Sequence, residues 1–93
     1  MAALTSGAAR ADTVTVTIEG LSFKPVEVSV KKGDTIEWIN KDAFTHSATV
    51  KGGWDVTIPP KKSAKHVFED VGTVDYFCRF HPNMKGRITV TAP

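Results

Sequence analysis

The 93-residue sequence predicts an all-β fold, a sandwich or barrel of short strands. Apolar and polar residues alternate in several segments, most clearly over residues 13–19, and this alternation is typical of half-buried strands. Turn residues such as Gly20 and the run 31–34 separate these segments at roughly ten-residue intervals. No segment shows a helical pattern over several turns. These features favour an antiparallel sandwich or barrel.

The predicted strands can be followed in order along the chain. The first covers residues 13–19, and a turn at residues 23–25 separates it from the second. The remaining predicted strands cover residues 26–30, 35–40, 46–50, 65–69, 73–78 and 86–91. The stretch from Gly52 to Pro60 shows no predictable element, although Trp54 indicates that it packs against another part of the protein.

Size and composition limit the classes of function. A chain of 93 residues forms one domain with a modest core, in which a bound metal would help stability. The net charge is +2, too small to indicate nucleic-acid binding, and no apolar run approaches the roughly 20 residues of a membrane helix. We therefore expect a monomer with no nucleic-acid or membrane partner.

The first eleven residues differ from the remainder. Residues 1–11 are rich in alanine, lack periodicity and end in Ala9-Arg10-Ala11, which is similar to a signal-peptidase site without a full apolar region before it. We interpret residues 1–11 as a signal-peptide remnant or a flexible arm, and residues 12–93 as the folded domain. This interpretation predicts a periplasmic or otherwise exported protein.

Three potential metal ligands lie three residues apart near the end of the chain. Cys78, His81 and Met84 offer a thiolate, an imidazole and a thioether, and His46 offers a second imidazole at a predicted strand end. Copper(I) favours sulfur and copper(II) favours nitrogen, so two His, one Cys and a weak axial Met suit both states. This donor set predicts a mononuclear copper site that transfers single electrons.

Other interpretations of these residues were weighed. A single cysteine excludes an internal disulfide and a Cys₄ or Cys₃His zinc site. A thiol enzyme with Cys78 as nucleophile and His81 as base lacks a clear third residue and leaves Met84 without a role, so we do not expect an enzyme. A copper-binding carrier or sequestering protein is the alternative function, and His66 is predicted to be a surface residue.

The chain resembles the cupredoxins, and among them the amicyanin group, from about Val14 to Val90. The short loop Cys78-x-x-His81-x-x-Met84 is the specific feature, and shared segments lie at residues 23–25, 33–35 and 38–40. The resemblance implies a Greek-key sandwich of about eight strands with one type 1 copper per chain. It also implies that His46, Cys78 and His81 are equatorial ligands and that Met84 is axial.

The resemblance also implies how electrons enter and leave. His81 is expected to be the exposed edge of the site, where redox protein partners dock transiently. The expected contact surface includes Phe80, Pro82 and Asn83, with a basic rim of Arg79, Lys85, Lys61 and Lys62.

Two positions depart from the usual cupredoxin pattern beside the ligands. Ser47 stands where an Asn usually ties the two ligand loops together, and we expect its shorter hydroxyl not to reach. Arg79 follows the Cys, where a small hydroxyl residue is common. These departures bear on the stiffness and reduction potential of the site.

Overall fold

Nine strands form two sheets in the computed structural model, which describes residues 11–93. The all-β prediction is confirmed, with one strand more than the eight expected. The strands are β1 (Thr13–Ile18), β2 (Phe23–Lys24), β3 (Glu27–Lys31), β4 (Thr35–Asn40), β5 (His46–Thr49), β6 (Asp55–Ile58), β7 (Ser63–Val67), β8 (Gly72–Cys78) and β9 (His81–Thr91).

The sheets are mixed rather than purely antiparallel. The five-stranded sheet has the order β3-β9-β8-β5-β6, and the four-stranded sheet has the order β2-β1-β4-β7. The pairs β9–β3 and β1–β4 are parallel, and the other pairs are antiparallel. These parallel partners are distant in the sequence, so the local alternation that predicts each strand does not predict their direction.

The core lies between the two sheets and follows the predicted alternation. Val16, Ile36 and Trp38 of the smaller sheet are fully buried, and so is Ile88 of the larger sheet. The Trp38 indole N–H donates to the Tyr76 hydroxyl at 3.3 Å, which gives both buried polar atoms a partner. Burial raises the pKa of Tyr76 to about 12, only partly offset by the Trp38 hydrogen bond, so the phenol stays protonated.

Strand β6 lies in the stretch for which the sequence predicted no element. Its four residues pair with β5, from His46 opposite Ile58 to Thr49 opposite Asp55. The Gly pair before it and the Pro pair after it leave too few residues for a recognisable alternation. Trp54, just before β6, packs on Trp38 at 5.9 Å between ring centroids, as predicted.

The segment that carries His81 and Met84 is a bulge at the start of β9 rather than a loop before it. Pairing with β8 begins at His81 opposite Cys78, breaks, and resumes at Lys85. At Gly86 a Cβ atom would stand 2.6 Å from Cε1 of Tyr76, so a side chain there would displace the buried ring. The glycine therefore lets β9 pass close to the core immediately after the bulge.

His66 is half-buried rather than a free surface residue. Its ring stacks on Trp54 with centroids 4.8 Å apart and contacts Phe68 edge-on. Burial lowers the pKa of His66 from its ordinary 6.5, because the charged ring loses hydration.

This lowered pKa predicts a pH-dependent contribution to stability. Below the ordinary pKa the unfolded chain binds more protons at His66 than the folded chain, so stability falls as pH falls. Urea unfolding of the metal-free protein at about pH 8 and about pH 5 is compared with H66Q, since histidine changes charge in this window. We expect the stability advantage of the wild type over H66Q to shrink at the lower pH. An advantage that stays constant or grows would contradict the burial of a neutral ring.

Candidate metal centre

Three of the four predicted ligands converge at one end of the sandwich. His46 begins β5, Cys78 ends β8 and His81 begins β9. The Cys78 sulfur lies 3.6 Å from Nδ1 of His46 and 3.9 Å from Nδ1 of His81, and the three donor atoms all lie within 4.8 Å of one another. Two adjacent strand ends and a bulge therefore bring together residues that are 32 positions apart in the sequence.

The spacing of these donors suits a single ion. Ligand atoms bound to one metal at ~2.0–2.3 Å, with tetrahedral or trigonal angles, stand roughly 3.3–4.0 Å apart. His46 and Cys78 are both fully buried, whereas His81 is partly exposed. Two imidazoles and one thiol in a mostly dry pocket are a donor set for copper or zinc.

Met84 lies in the bulge that follows His81. Its side chain is 4% exposed and belongs to the same contiguous core as Cys78. A buried thioether in this bulge fits the weak axial position that the sequence predicted.

Asp42 is a functional residue that the sequence analysis missed. Its carboxylate accepts a hydrogen bond from Nε2 of His46 at 2.9 Å, so the other ring nitrogen, Nδ1, presents its lone pair towards Cys78. The same carboxylate accepts the backbone N–H groups of Gly20 and Leu21. Desolvation raises the pKa of Asp42, but the hydrogen bonds from Leu21, His46 and Gly20 hold it below its ordinary value. The separation of Asp42 and His46 by four positions in the sequence was the feature that could have indicated this contact.

Ser47 joins the two strands that carry the buried donors. Its backbone N–H donates to the Cys78 sulfur at 3.3 Å, which stabilises negative charge on that sulfur. Its hydroxyl accepts the Arg79 backbone N–H at 2.9 Å. The expectation that the Ser47 hydroxyl would not reach the second ligand segment is therefore wrong, because β5 and β8 lie close enough for a serine to bridge them.

Apolar side chains surround the exposed edge of His81. Phe80 is 44% exposed, as the sequence led us to expect, and Phe44 is 57% exposed and contacts the His81 ring edge-on at 5.9 Å. Phe44 was missed because its loop offered no periodicity. Arg79, expected in a basic rim, is instead paired with Asp55 at 3.1 Å.

No helix in residues 11–93 is long and apolar enough to cross a membrane.

The role of Asp42 predicts the effect of removing its carboxylate. In D42A the buried His46 N–H loses its partner, so we expect a loss of about 1–3 kcal/mol in the unfolding free energy of the metal-free protein. We also expect affinity for Cu(II) to fall about 10–100-fold, as for other carboxylates that orient a ligating His. Urea unfolding and competition with a chelator measure the two effects.

The control for this substitution is D75A. The Asp75 side chain is 73% exposed and pairs with Arg87, and an exposed ion pair of this kind contributes little, so its loss should leave stability nearly unchanged. Equal stability and equal copper affinity for D42A and D75A would contradict the orienting role of Asp42.

The sequence matches a family model described as a cupredoxin-like domain over residues 1–90. The chain is 33% identical to an amicyanin of Paracoccus versutus over 87 residues, covering 86% of this chain and 66% of that protein. It is 35% identical to an amicyanin-alpha of Methylorubrum extorquens, covering 96% of this chain and 86% of that protein. The chain thus spans just under two thirds of the Paracoccus versutus relative.

Solved structures show the same similarity in three dimensions. An amicyanin mutant in its Cu(I) form superposes with a TM-score of 0.79 at 28% identity, over 84% of this chain and 81% of the other. A reduced tryptophan-to-tyrosine mutant of amicyanin gives 0.78 at 28% identity, over 90% and 85%. With the family match over nearly the whole sequence, these similarities establish that the chain belongs to the cupredoxin-like domain family.

Proposed function

We propose that this protein is a type 1 copper protein that carries single electrons between protein partners. It holds one copper per chain, with His46, Cys78 and His81 as the strong ligands and Met84 as the weak one. The observation that carries the proposal is the convergence of two imidazole nitrogens and one sulfur within 4.8 Å of one another. The similarity to amicyanins, one of them solved in a Cu(I) form, supports copper as the metal.

The bound metal supplies the Cu(II)/Cu(I) couple, and the residues around it restrict how far the site rearranges. Asp42 holds the His46 ring in one tautomer and orientation. The Ser47 amide holds the Cys78 sulfur and stabilises its negative charge. Full burial of both donors excludes water from that side of the pocket. Donors fixed in this way favour one geometry for both oxidation states, which an electron carrier needs.

His81 is the proposed point of electron entry and exit. It is the one partly exposed residue of the three-donor group, and Phe44 and Phe80 form an apolar surface beside it. Pro82 and Asn83 are exposed in the same bulge. A small apolar contact of this kind suits a transient encounter, so we propose that redox protein partners dock here on a monomer.

The two other functions fit the geometry less well. A copper carrier needs a site that exchanges its metal readily, whereas His46 and Cys78 are 0% exposed. A thiol enzyme needs a sulfur that substrate can reach, and burial of Cys78 opposes this as well. We therefore propose that the protein is not an enzyme.

We propose that the protein works in the periplasm or another exported location. The segment that suggested this is residues 1–11, of which residues 1–10 lie outside the described residues. The proposed domain covers residues 12–93, and at its start the Asp12 N–H donates to the Asp34 carboxylate at 2.9 Å.

Addition of Cu(II) to the purified protein tests the proposal. We expect one equivalent to bind and produce an intense thiolate-to-copper charge-transfer band in the visible spectrum, because Cys78 is the strong sulfur ligand. C78S should bind without this band, and H66Q should keep it, because His66 lies outside the three-donor group. A wild-type protein that stays pale with one equivalent of Cu(II) would refute the type 1 assignment.

A further inference from the structure

Strands β5 and β8 carry the two buried donors but share very little backbone pairing. Their register contains one residue pair, Thr49 opposite Phe77, whereas β8 and β9 share seven. The relative position of His46 and Cys78 is therefore not fixed by a long ladder of backbone hydrogen bonds. Side-chain hydrogen bonds between the two strands can therefore contribute to the restraint.

Four residues form a closed ring of hydrogen bonds, in which Arg79 takes part with both its backbone and its side chain. The Arg79 backbone N–H donates to the Ser47 hydroxyl at 2.9 Å, and the Ser47 and Thr49 hydroxyl oxygens lie 2.8 Å apart. The Thr49 hydroxyl donates to Oδ1 of Asp55 at 2.6 Å. The Arg79 guanidinium closes the ring with Nε 3.1 Å from Oδ1 and 3.3 Å from Oδ2 of Asp55.

Chemistry fixes the direction of every hydrogen bond in this ring. An ionised carboxylate only accepts, so the single Thr49 hydroxyl hydrogen points to Asp55. Ser47 must then donate to Thr49, which leaves its own oxygen free to accept from the Arg79 backbone. The three hydrogen bonds from the Arg79 backbone through Ser47 and Thr49 to Asp55 therefore all point one way, and such a chain is strengthened by mutual polarisation. The guanidinium bonds reach Asp55 from the other side. Hydrogen bonding from Thr49 and the charge of Arg79, against some desolvation, keep the pKa of Asp55 below its ordinary value, so the carboxylate stays ionised.

We propose that Arg79 and Asp55 are positioning residues for the metal centre. They act through Thr49 and Ser47 to hold β5 against β8, and this keeps the Ser47 amide on the Cys78 sulfur. Ser47 and Thr49 are buried, whereas Arg79 and Asp55 are 42% and 46% exposed, so a surface ion pair anchors a buried restraint. A third contact, from Nη2 of Arg79 to the Thr57 hydroxyl at 3.0 Å, extends the anchor to β6.

The proposal rests on the proposed function, and it concerns two of the residues at which the chain departs from the cupredoxin pattern. Ser47 and Arg79 are joined directly by one hydrogen bond. The Arg79 guanidinium also lies 4.3 Å from the centre of the Phe80 ring, which places the ion pair next to the proposed docking surface. The ring therefore connects the exposed edge of the site to the restraint behind Cys78.

Substitutions that open the ring test the proposal in the copper-loaded protein. T49V removes the hydroxyl that links Ser47 to Asp55 without changing the net charge. D55N replaces the carboxylate that accepts the Thr49 hydrogen bond with a weaker, neutral acceptor. If the Ser47 amide moves away from Cys78, the sulfur donates more strongly and Cu(II) is favoured over Cu(I). We expect the affinity ratio to change about 3–10-fold, which lowers the reduction potential by roughly 30–60 mV. We also expect a shift in the charge-transfer band and faster loss of copper to a chelator.

Arginine variants separate positioning from charge. R79Q removes one positive charge and opens the ring, and R79K keeps the charge but cannot reproduce the planar fork. R87Q is the matched control, since the exposed Arg87–Asp75 pair has a similar N–O distance of 2.8 Å but no link to the site. We expect R79Q and R79K to shift the potential alike, and R87Q to shift it much less. If R79K has the reduction potential of the wild type, or if R79Q shifts the potential no more than R87Q does, the positioning role of Arg79 is refuted.

A measurement without copper separates this inference from the proposed function. In the metal-free protein, amide hydrogen exchange at Ser47 and Arg79 should be faster in T49V and D55N than in the wild type and R87Q. Thermal unfolding shows that each variant is folded under the conditions used. Unchanged exchange rates in both variants would refute the restraining role of the ring, even if the copper-loaded wild type shows the charge-transfer band. A pale wild type with faster exchange in the variants would refute the copper function and leave the ring intact.

Discussion

One hydrogen bond, from the Ser47 amide to the Cys78 sulfur, directly joins the two strands that carry the buried donors. This contact matters because the backbone register of β5 and β8 contains one residue pair, Thr49 opposite Phe77. The remainder of the sandwich provides a stiff base for this contact. The Trp38–Tyr76 hydrogen bond lies in the core, and Tyr76 precedes Cys78 by two residues in β8.

Each buried donor is held from behind by a group that is itself restrained. The Asp42 carboxylate orients His46 and is held by the backbone of the β1–β2 turn. Cys78 is held by the Ser47 amide, whose own position depends on the hydroxyl contact with Arg79. His81 has fewer such contacts and meets solvent. The pocket therefore combines two buried, hydrogen-bonded donors with one that meets solvent, an arrangement suited to electron transfer at the protein surface.

Much of the fold could be predicted from the sequence because half-buried strands show their alternation locally. Strand β6 could not, since four residues between a Gly pair and a Pro pair carry too little pattern. The parallel pairs depend on strands distant in the sequence, which local patterns do not reveal. In the site, residue type and spacing predicted His46, Cys78 and His81, and the structure brings them together. The reach of Ser47 and the roles of Asp42 and Asp55 depend on tertiary distances, so the sequence did not reveal them.

The proposed copper site requires a single ion that contacts donors from three strands at once. X-ray absorption at the copper edge of the copper-loaded wild-type protein measures those contacts directly. This convergence predicts one short copper–sulfur distance together with two nitrogen neighbours of imidazole type. A spectrum that requires only nitrogen and oxygen neighbours, with no sulfur, would contradict it.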